Sequence, residues 1–187
     1  MPEPFTIYTI GHSTRSLEDF IGTLQAHGIK ALADVRRYPG SRRLPWFDAE
    51  NMAIELPEAG IAYFPFADLG GRRRALPGSP NSGWRNESFR GYADYMQTPE
   101  FQAALDRLTE QARQTPTSIM CAEAVPWRCH RSLIADALLV RGWRVLDVFD
   151  AKKASPHQLT PFAKVEGLRI TYPSASGRDE SPTLFQS

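Results

Sequence analysis

The chain has 187 residues, of which 42% are hydrophobic, and its formal net charge is +1. This size is enough to bury the core of one domain, and the balanced charge excludes a chain that is attracted as a whole to polyanions. Arginine supplies most of the 22 basic residues. That excess favours bidentate contacts with phosphate or carboxylate, although a bias toward arginine codons would give the same composition.

The N-terminal sequence MPEPFTIYTI lacks the basic region and the long apolar region of a signal peptide. No apolar run of the chain has the length of a membrane span. We therefore expect a cytoplasmic protein without a membrane partner. Two cysteines do not make a disulfide framework, and a reducing compartment would keep them as thiols.

Segments with strand character alternate with segments with helix character along the chain. The predicted strands are residues 5–10, 29–35, 61–66, 117–122 and 143–149. The predicted helices begin after the N-cap candidates Ser16, Asp48 and Thr98, and a fourth covers residues 131–141. Residues 68–90 show no periodicity and are expected to form a long loop that is either functional or disordered. A short helix and a strand are expected within residues 159–173.

This β-α alternation predicts right-handed crossovers and a mostly parallel sheet. We expect a three-layer α/β sandwich of the Rossmann-like kind, with about five strands and helices on both faces. Residues 1–173 would form this single domain, and residues 174–187 a polar C-terminal tail. The order of the strands in the sheet is not predicted.

Polar residues and glycines follow the predicted strands, at the edge of the sheet where open α/β sheets bind ligands. In chain order, the candidates are Gly11, His12, Ser13, Asp34, Arg36, Arg37, Tyr38, Pro39, Ser41, Asp68, Gly70, Gly71, Arg72, Arg73, Arg74, Cys121, Glu123, Arg128, Cys129, His130, Arg131, Asp147 and Asp150. The carboxyl ends of parallel strands meet at one edge, so we expect these residues to converge there. The opposite ends carry mostly helix stops and plain turns.

The stretch from Ser118 to Gly142 concentrates this chemistry at one turn between a strand and a helix. A helix N-terminus offers free backbone N–H groups to an anion, and Arg128 and Arg131 would add fork-shaped contacts. A cysteine at such a position has a lowered pKa and can act as a nucleophile. The alternatives are that Cys121 is a small core residue and that Glu123 is an ion-pair partner of a neighbouring arginine.

A metal site is the other chemistry that this region could hold. His12, Cys121, Cys129 and His130 are ligand types, but their spacing matches no standard zinc motif. We therefore predict no cofactor and no metal, with zinc as an alternative. His157 lies in an expected loop, and the sequence assigns no chemistry to it.

Six short motifs together resemble a known family. They are TIGHS at 9–13, DVRRYPGS at 34–41, DLGGRR at 68–73, MCAE at 120–123, CHR at 129–131 and LTPFA at 159–163. The chain resembles the bacterial "domain of unknown function 488" family over nearly its whole length. The resemblance implies a small α/β protein and carries no settled activity. The motif residues coincide with the candidates at the strand ends, which favours one shared site.

The leading hypothesis is an enzyme acting on a phosphate-bearing substrate, either a nucleotide or a nucleic acid. The proposed phosphate ligands are Arg36, Arg72, Arg128 and Arg131, with Ser13, Ser41, Gly70, Gly71 and Cys129 as further anion-binding residues. Glu123, or alternatively Asp34, would act as general base or nucleophile, and His12 or His130 would transfer a proton. Hydrolysis and glycosyl transfer both fit these groups.

Exposed aromatic rings near these arginines would contribute stacking on a base, and Tyr38, Trp46 and Trp84 are the candidates. Two other functions remain open. One is a binding module for nucleotides or nucleic acid that has no use for Glu123. The other is a thiol-based redox or metal protein that uses Cys121 and Cys129. The sequence does not predict an oligomeric state.

Overall fold

The structure of the protein, a computed structural model, describes residues 1–175. Its elements in chain order are β1 Thr6–Gly11, α1 Leu17–Ala26, β2 Ala31–Asp34, α2 Ala49–Glu58, β3 Ala62–Pro65, α3 Glu87–Tyr95, α4 Pro99–Gln114, β4 Thr117–Cys121, α5 Arg131–Val140, β5 Arg144–Val148, β6 Ala154–Pro156, β7 Lys164–Glu166 and β8 Arg169–Thr171. Short 3-10 turns cover Pro45–Phe47, Ala67–Leu69 and Pro126–Arg128.

The central sheet has six strands in the order β3-β2-β4-β1-β5-β6. The first five are parallel to their neighbours, and β6 pairs antiparallel with β5. The predicted α/β sandwich with a mostly parallel sheet is confirmed. The sixth strand is three residues long and was not expected.

Helices cover both faces of this sheet. On one face the buried side chains of α1 and α2 pack against the strands, with Phe20, Leu24, Met52 and Leu56 in the cluster. On the other face α3, α4 and α5 contribute to a larger cluster, which includes Tyr92, Phe101, Leu105 and Leu133. Burial of both faces explains why β2 and β4 are buried at every position, as is usual for a parallel sheet.

Two of the predicted N-caps are present, and the third residue has another role. The Ser16 hydroxyl accepts the N–H of Asp19 at 3.1 Å, and the Thr98 hydroxyl accepts the N–H of Phe101 at 3.3 Å. Asp48 occupies the N-cap position of α2, but its carboxylate accepts the N–H of Ser41 at 2.7 Å instead of a helix N–H. It therefore fixes the loop after β2 rather than the helix end.

Residues 68–90 are held against the domain by hydrogen bonds. The sequence did not predict the helix α3, which begins at their end. The Asp94 carboxylate accepts the N–H of Leu76 at 2.8 Å and the side-chain amide of Asn81 at 2.7 Å. The sequence hides α3 because Gly91 interrupts its pattern. That glycine is needed where it stands, since a Cβ there would lie 2.1 Å from the carbonyl oxygen of Arg73.

Residues 159–173 contain the two strands β7 and β8 instead of the expected short helix and single strand. β7 and β8 make a separate antiparallel hairpin. The predicted polar tail lies, except for its first two residues, outside the described part of the chain. Among the helices of residues 1–175, none has the length and apolar character needed to cross a membrane.

Candidate functional site

Strands β1 and β4 are neighbours whose onward connections run in opposite directions. The chain leaves β1 through α1 on one face toward β2, and it leaves β4 through α5 on the other face toward β5. Such a switch opens a crevice at the carboxyl edge of a sheet. The segments that follow β1 and β4 stay paired beyond the strands, because the N–H groups of His12 and Ser13 donate to the carbonyls of Cys121 and Ala122 at 2.9 Å each.

A cleft of about 330 Å³ lies at this edge, on the side of α3 and α5. It is lined by Arg36, Arg37, Tyr38, Gly71, Arg72, Asn86, Ser88, Phe89, Cys121, Ala122, Glu123, Arg128, Cys129 and His130. Ten of the strand-end candidates are among them: Arg36, Arg37, Tyr38, Gly71, Arg72, Cys121, Glu123, Arg128, Cys129 and His130. They come from the end of β4 and from the loops after β2, β3 and β4, which the parallel sheet brings together.

The lining carries an excess of positive charge. Four of its residues are arginines, while Glu123 is the only carboxylate that the described residues contribute to it. Arg128 and Glu123 are both exposed, in the segment between β4 and α5. The cleft is therefore suited to an anion, with one carboxylate placed beside it.

Asp34 holds Arg36 in place rather than acting in the cleft. It is 1% exposed, and it accepts Nε of Arg36 at 2.9 Å, Nη2 of Arg36 at 2.7 Å and the hydroxyl of Tyr63 at 2.5 Å. A carboxylate with these partners has no face toward the cleft. The prediction of Asp34 as a base or nucleophile is therefore corrected to a positioning residue for Arg36.

His12 lies behind Arg36 and does not line the cleft. One ring nitrogen, Nδ1, lies 2.8 Å from the carbonyl oxygen of Ser13, and Nε2 lies 3.4 Å from Nη1 of Arg36. The ring also stacks on Phe47 at 4.3 Å. Burial lowers the pKa of His12 to about 4, so the ring is neutral at pH 7. It donates from Nδ1 and leaves Nε2 as an acceptor toward Arg36.

His130, in contrast, lines the cleft. Its Nε2 donates to the carbonyl of Val35 at 2.8 Å, and its Nδ1 lies 3.6 Å from the sulfur of Cys129. Burial lowers the pKa of His130 to about 4. Gly71 lets this ring approach closely, because a Cβ there would lie 2.9 Å from Nδ1. The ring is therefore neutral at pH 7, with Nδ1 as a hydrogen-bond acceptor.

Arg131 is the clearest departure from the predicted anion-binding set. It is 1% exposed and does not line the cleft. Its guanidinium donates to the carbonyls of Glu123 at 2.6 Å and Ala124 at 3.2 Å, and Nη1 lies 2.8 Å from the sulfur of Cys121. Burial lowers the pKa of Arg131 to about 10, and it stays charged at pH 7. Its role is to hold the backbone after β4.

The two cysteines, expected as thiols, are paired as a disulfide in this structure. Cys121 is the last residue of β4, and Cys129 follows the 3-10 turn that carries Arg128. Both line the cleft. Within residues 1–175, no three His, Cys, Asp or Glu side chains are arranged to hold a metal ion.

Ser13, Ser41 and Gly70 lie outside the cleft lining. Ser41 organises its own turn, since its hydroxyl accepts the N–H groups of Arg43 and Leu44 at 3.3 Å each. Gly70 packs against the loop after β2, where a Cβ added at Gly70 would lie 2.6 Å from the Cβ of Arg37. Ser13 has a positive φ of 51° at the end of the β1 extension. These residues shape the edge of the sheet without facing the cleft.

Of the three aromatic candidates, Tyr38 alone lines the cleft. It is 64% exposed, and the guanidinium carbons of Arg37 and Arg72 lie 5.6 and 5.8 Å from its ring centre. Trp84 instead stacks on Phe89 in the core at 5.0 Å. Trp46 is half-buried and donates to the carbonyl of Arg15 at 3.0 Å.

Four lining residues were not among the strand-end candidates: Asn86, Ser88, Phe89 and Ala122. Asn86 and Ser88 belong to the first turn of α3, which was missed together with its helix. The Asn86 side chain caps that helix by accepting the N–H groups of Ser88 at 2.8 Å and Phe89 at 3.3 Å.

Comparison with known proteins gives one match. The family model described as "Domain of unknown function DUF488" matches residues 16–138, which is more than half of the chain. This range includes β2, β4 and every residue that lines the cleft. No curated protein and no solved structure matches the chain.

Proposed function

The chain belongs to the DUF488 family, and we propose that it is an enzyme that binds a phosphate-bearing substrate, a nucleotide or nucleic acid, in the arginine-lined cleft. The observation that carries this proposal is the convergence of Arg36, Arg37, Arg72 and Arg128 on one cleft of about 330 Å³. Arginine forks match the oxygens of phosphate, and a cleft of this size takes a small ligand or a single nucleotide unit.

Further features favour a phosphate ester over a simple carboxylate. The first turn of α3 borders the cleft and adds the favourable end of a helix dipole to the arginines. Tyr38 offers an exposed ring beside Arg37 and Arg72, on which a base could stack while its phosphate meets the guanidinium groups. The proposed site thus provides for both parts of a nucleotide.

The catalytic part of the proposal assigns two residues. Glu123 places a carboxylate at the cleft as general base or nucleophile, and the neutral Nδ1 of His130 accepts or returns a proton. Both lie on the segment between β4 and α5, so one turn would position base, proton acceptor and Arg128. Hydrolysis and glycosyl transfer are the reaction types that this set serves.

Binding is tested by a thermal-shift screen of the full chain. The panel runs from inorganic phosphate through mononucleotides and ADP-ribose to short oligonucleotides, at two salt concentrations. A ligand at 100 times its Kd adds about 2.7 kcal/mol to the free energy of unfolding. The shift should disappear in Arg128→Ala and persist in Arg144→Ala, because Arg144 is exposed at the opposite edge of the sheet. Equal shifts in both variants, or no shift with any ligand, would refute the proposed site.

Catalysis is tested separately with Glu123→Gln. If the protein is an enzyme, this variant keeps the thermal shift and loses turnover of the bound ligand by on the order of a hundredfold. Product formation is followed by chromatography of the ligand that gave the shift. If the wild-type protein binds the ligand but forms no product, and Glu123→Gln binds it equally well, the binding module is favoured instead.

A further inference from the structure

The cysteine pair joins the end of β4 to the turn that carries Arg128. Cys121 ends β4, and Cys129 lies eight positions later, at the end of the turn that carries Arg128. The two cysteines are the only ones in the chain. The bridge therefore links the strand directly to this turn.

The surroundings of the two sulfur atoms are unequal. Cys121 contacts Nη1 of the buried Arg131 at 2.8 Å, a charge that stabilises a thiolate. Cys129 lies 3.6 Å from Nδ1 of His130 and 3.5 Å from the backbone N–H of Arg131. Cys121 is therefore the better leaving group, and Cys129 is the sulfur beside a proton acceptor.

We propose that Cys121 and Cys129 form a reversible redox site, opened by a low-molecular-weight thiol and closed by the corresponding disulfide, and that its state sets the anion affinity of the cleft. The redox chemistry stands on the two cysteines and their neighbours alone. The effect on affinity rests on the proposed function, because it concerns the same cleft.

Opening proceeds in two exchanges. The thiolate of a small thiol attacks the sulfur of Cys129, the bond between the two protein sulfurs breaks, and Cys121 leaves as a thiolate beside Arg131. A second thiolate attacks the small-molecule sulfur of this mixed disulfide and releases Cys129, which takes up a proton. The bridge gains two electrons from two thiols, which leave as one disulfide, and the remaining proton goes to solvent. Closing is the reverse reaction.

The link to the cleft follows from the position of Arg128. Its neighbour Cys129 is one end of the bridge, so the turn that presents the guanidinium is tied to β4 in the oxidised form and released in the reduced form. Arg131 holds the carbonyls of Glu123 and Ala124 in both forms, which confines the change to the turn. A difference in anion affinity on the order of fivefold or more is expected between the two forms.

The redox site is tested by equilibrating the full chain at graded ratios of reduced to oxidised glutathione. The thiols are then blocked with iodoacetamide, and the intact mass is measured. Two alkyl groups are expected on the reduced protein and none on the oxidised protein, with a reversible transition that Cys129→Ser and Cys121→Ser each abolish. Two alkyl groups at every ratio, or none at every ratio, would overturn the redox site.

The effect on affinity is measured on the wild-type protein in both forms, with inorganic phosphate and the ligand that gives the largest thermal shift. Cys129→Ser serves as the control, because its affinity should not respond to glutathione. Equal affinity in the two forms would overturn the link between redox state and cleft. Absence of binding in both forms together with an intact redox transition would overturn the proposed function and the link to affinity, and would leave the redox site standing.

Discussion

Asp34 and Arg36 form a two-point ion pair, with Nε and Nη2 of the guanidinium 2.9 and 2.7 Å from the two carboxylate oxygens. The pair is nearly buried, with 1% of the Asp34 side chain and 9% of the Arg36 side chain exposed. Asp34 does not line the cleft, whereas Arg36, which this pair holds in place, does. The catalytic carboxylate of the proposed reaction is accordingly Glu123, whose side chain lies at the cleft.

Replacing Asp34 by Asn should therefore reduce stability strongly. The amide cannot neutralise Arg36, and removing one partner of a buried ion pair costs about 3–5 kcal/mol of unfolding free energy. Urea unfolding followed by circular dichroism measures this loss. Asp19→Asn is the matched control, because its pair with Arg15 is exposed and worth about 1 kcal/mol or less. Similar losses in the two variants would contradict the structural role of Asp34.

The close passage of the segment after β4 over β1 gives a second prediction. A Cβ at Gly11 would lie 1.6 Å from the carbonyl oxygen of Glu123, which is backbone and cannot rotate away. Gly11→Ala should therefore lower the unfolding free energy by about 3 kcal/mol or more and displace Glu123. Chemical denaturation measures the first effect, and turnover of the ligand that gives the thermal shift measures the second.

Gly22→Ala is the control for this substitution. Gly22 lies in α1, and no atom stands within 4 Å of a Cβ placed there. Alanine in an exposed helical position should raise the unfolding free energy by about 0.5–1 kcal/mol. A small effect of Gly11→Ala, comparable in size to that of Gly22→Ala, would show that the two segments do not pass as closely as the structure places them.

The extent to which the sequence predicts this site follows from the sheet. Arg36, Arg72, Glu123 and Arg128 could be brought together in advance, because parallel strands deliver the residues that follow them to one edge. The direction in which each side chain points could not be predicted. Arg131 begins α5 and points inward to backbone carbonyls, while Arg128, three positions earlier, is exposed. Only the conformation of the 122–130 turn decides between the two, and local spacing does not encode it.

Long-range pairing limited the prediction in the same way. Asp34 becomes buried because β3 pairs beside β2 and brings Tyr63 to it, and the order of strands was not readable. His157, expected in an unremarkable loop, lies between Asp136 and Asp147 because β6 pairs with β5. In each case the partners are distant in sequence, and their meeting is a property of the sheet order.

Arg72 connects backbone conformation to binding. Its φ of 59° is a left-handed conformation, which glycine adopts at lower cost than arginine. Arg72→Gly should leave the unfolding free energy unchanged or raise it by up to about 1 kcal/mol, while it weakens anion binding on the order of tenfold by removing a charged hydrogen-bond donor. Denaturation measures the change in unfolding free energy, and ligand titration of the same sample measures the loss of anion affinity. Loss of more than about 1 kcal/mol would show that the side chain stabilises the fold instead.

His12 and His130 govern how the free energy of unfolding changes at acid pH. Burial lowers the pKa of His12 and of His130 to about 4, below the ordinary value of 6.5. Their neutral forms favour the folded state, so their contribution is present above pH 6.5 and is lost as the pH falls through about 4. Unfolding free energies measured from pH 7 to pH 4 should decline over this window. In His12→Asn the decline should be shallower, and an unchanged slope would argue against a buried neutral His12.

His157 sets the alkaline side through an ion triad that fastens the C-terminal segment to the sheet. Its Nδ1 lies 2.8 Å from Asp147 and its Nε2 lies 3.0 Å from Asp136, which also accepts the hydroxyl of Tyr172 at 2.9 Å. Burial alone would lower the pKa of His157, but the hydrogen bonds to the two carboxylates outweigh it and raise the pKa to about 9. The protonated ring therefore favours the folded state.

The sign of the pH effect follows from this raised pKa. Stabilisation by His157 is fully present below pH 6.5, the ordinary value, and is lost as the pH rises through about 9. The loss between these limits is on the order of 3 kcal/mol. His157→Gln should be less stable than the wild type at pH 6, because two buried carboxylates lose their cation, and its stability should no longer fall between pH 7 and pH 9. Urea unfolding of both proteins at pH 6, 7.5 and 9 measures this, and parallel profiles would rule out the protonated triad.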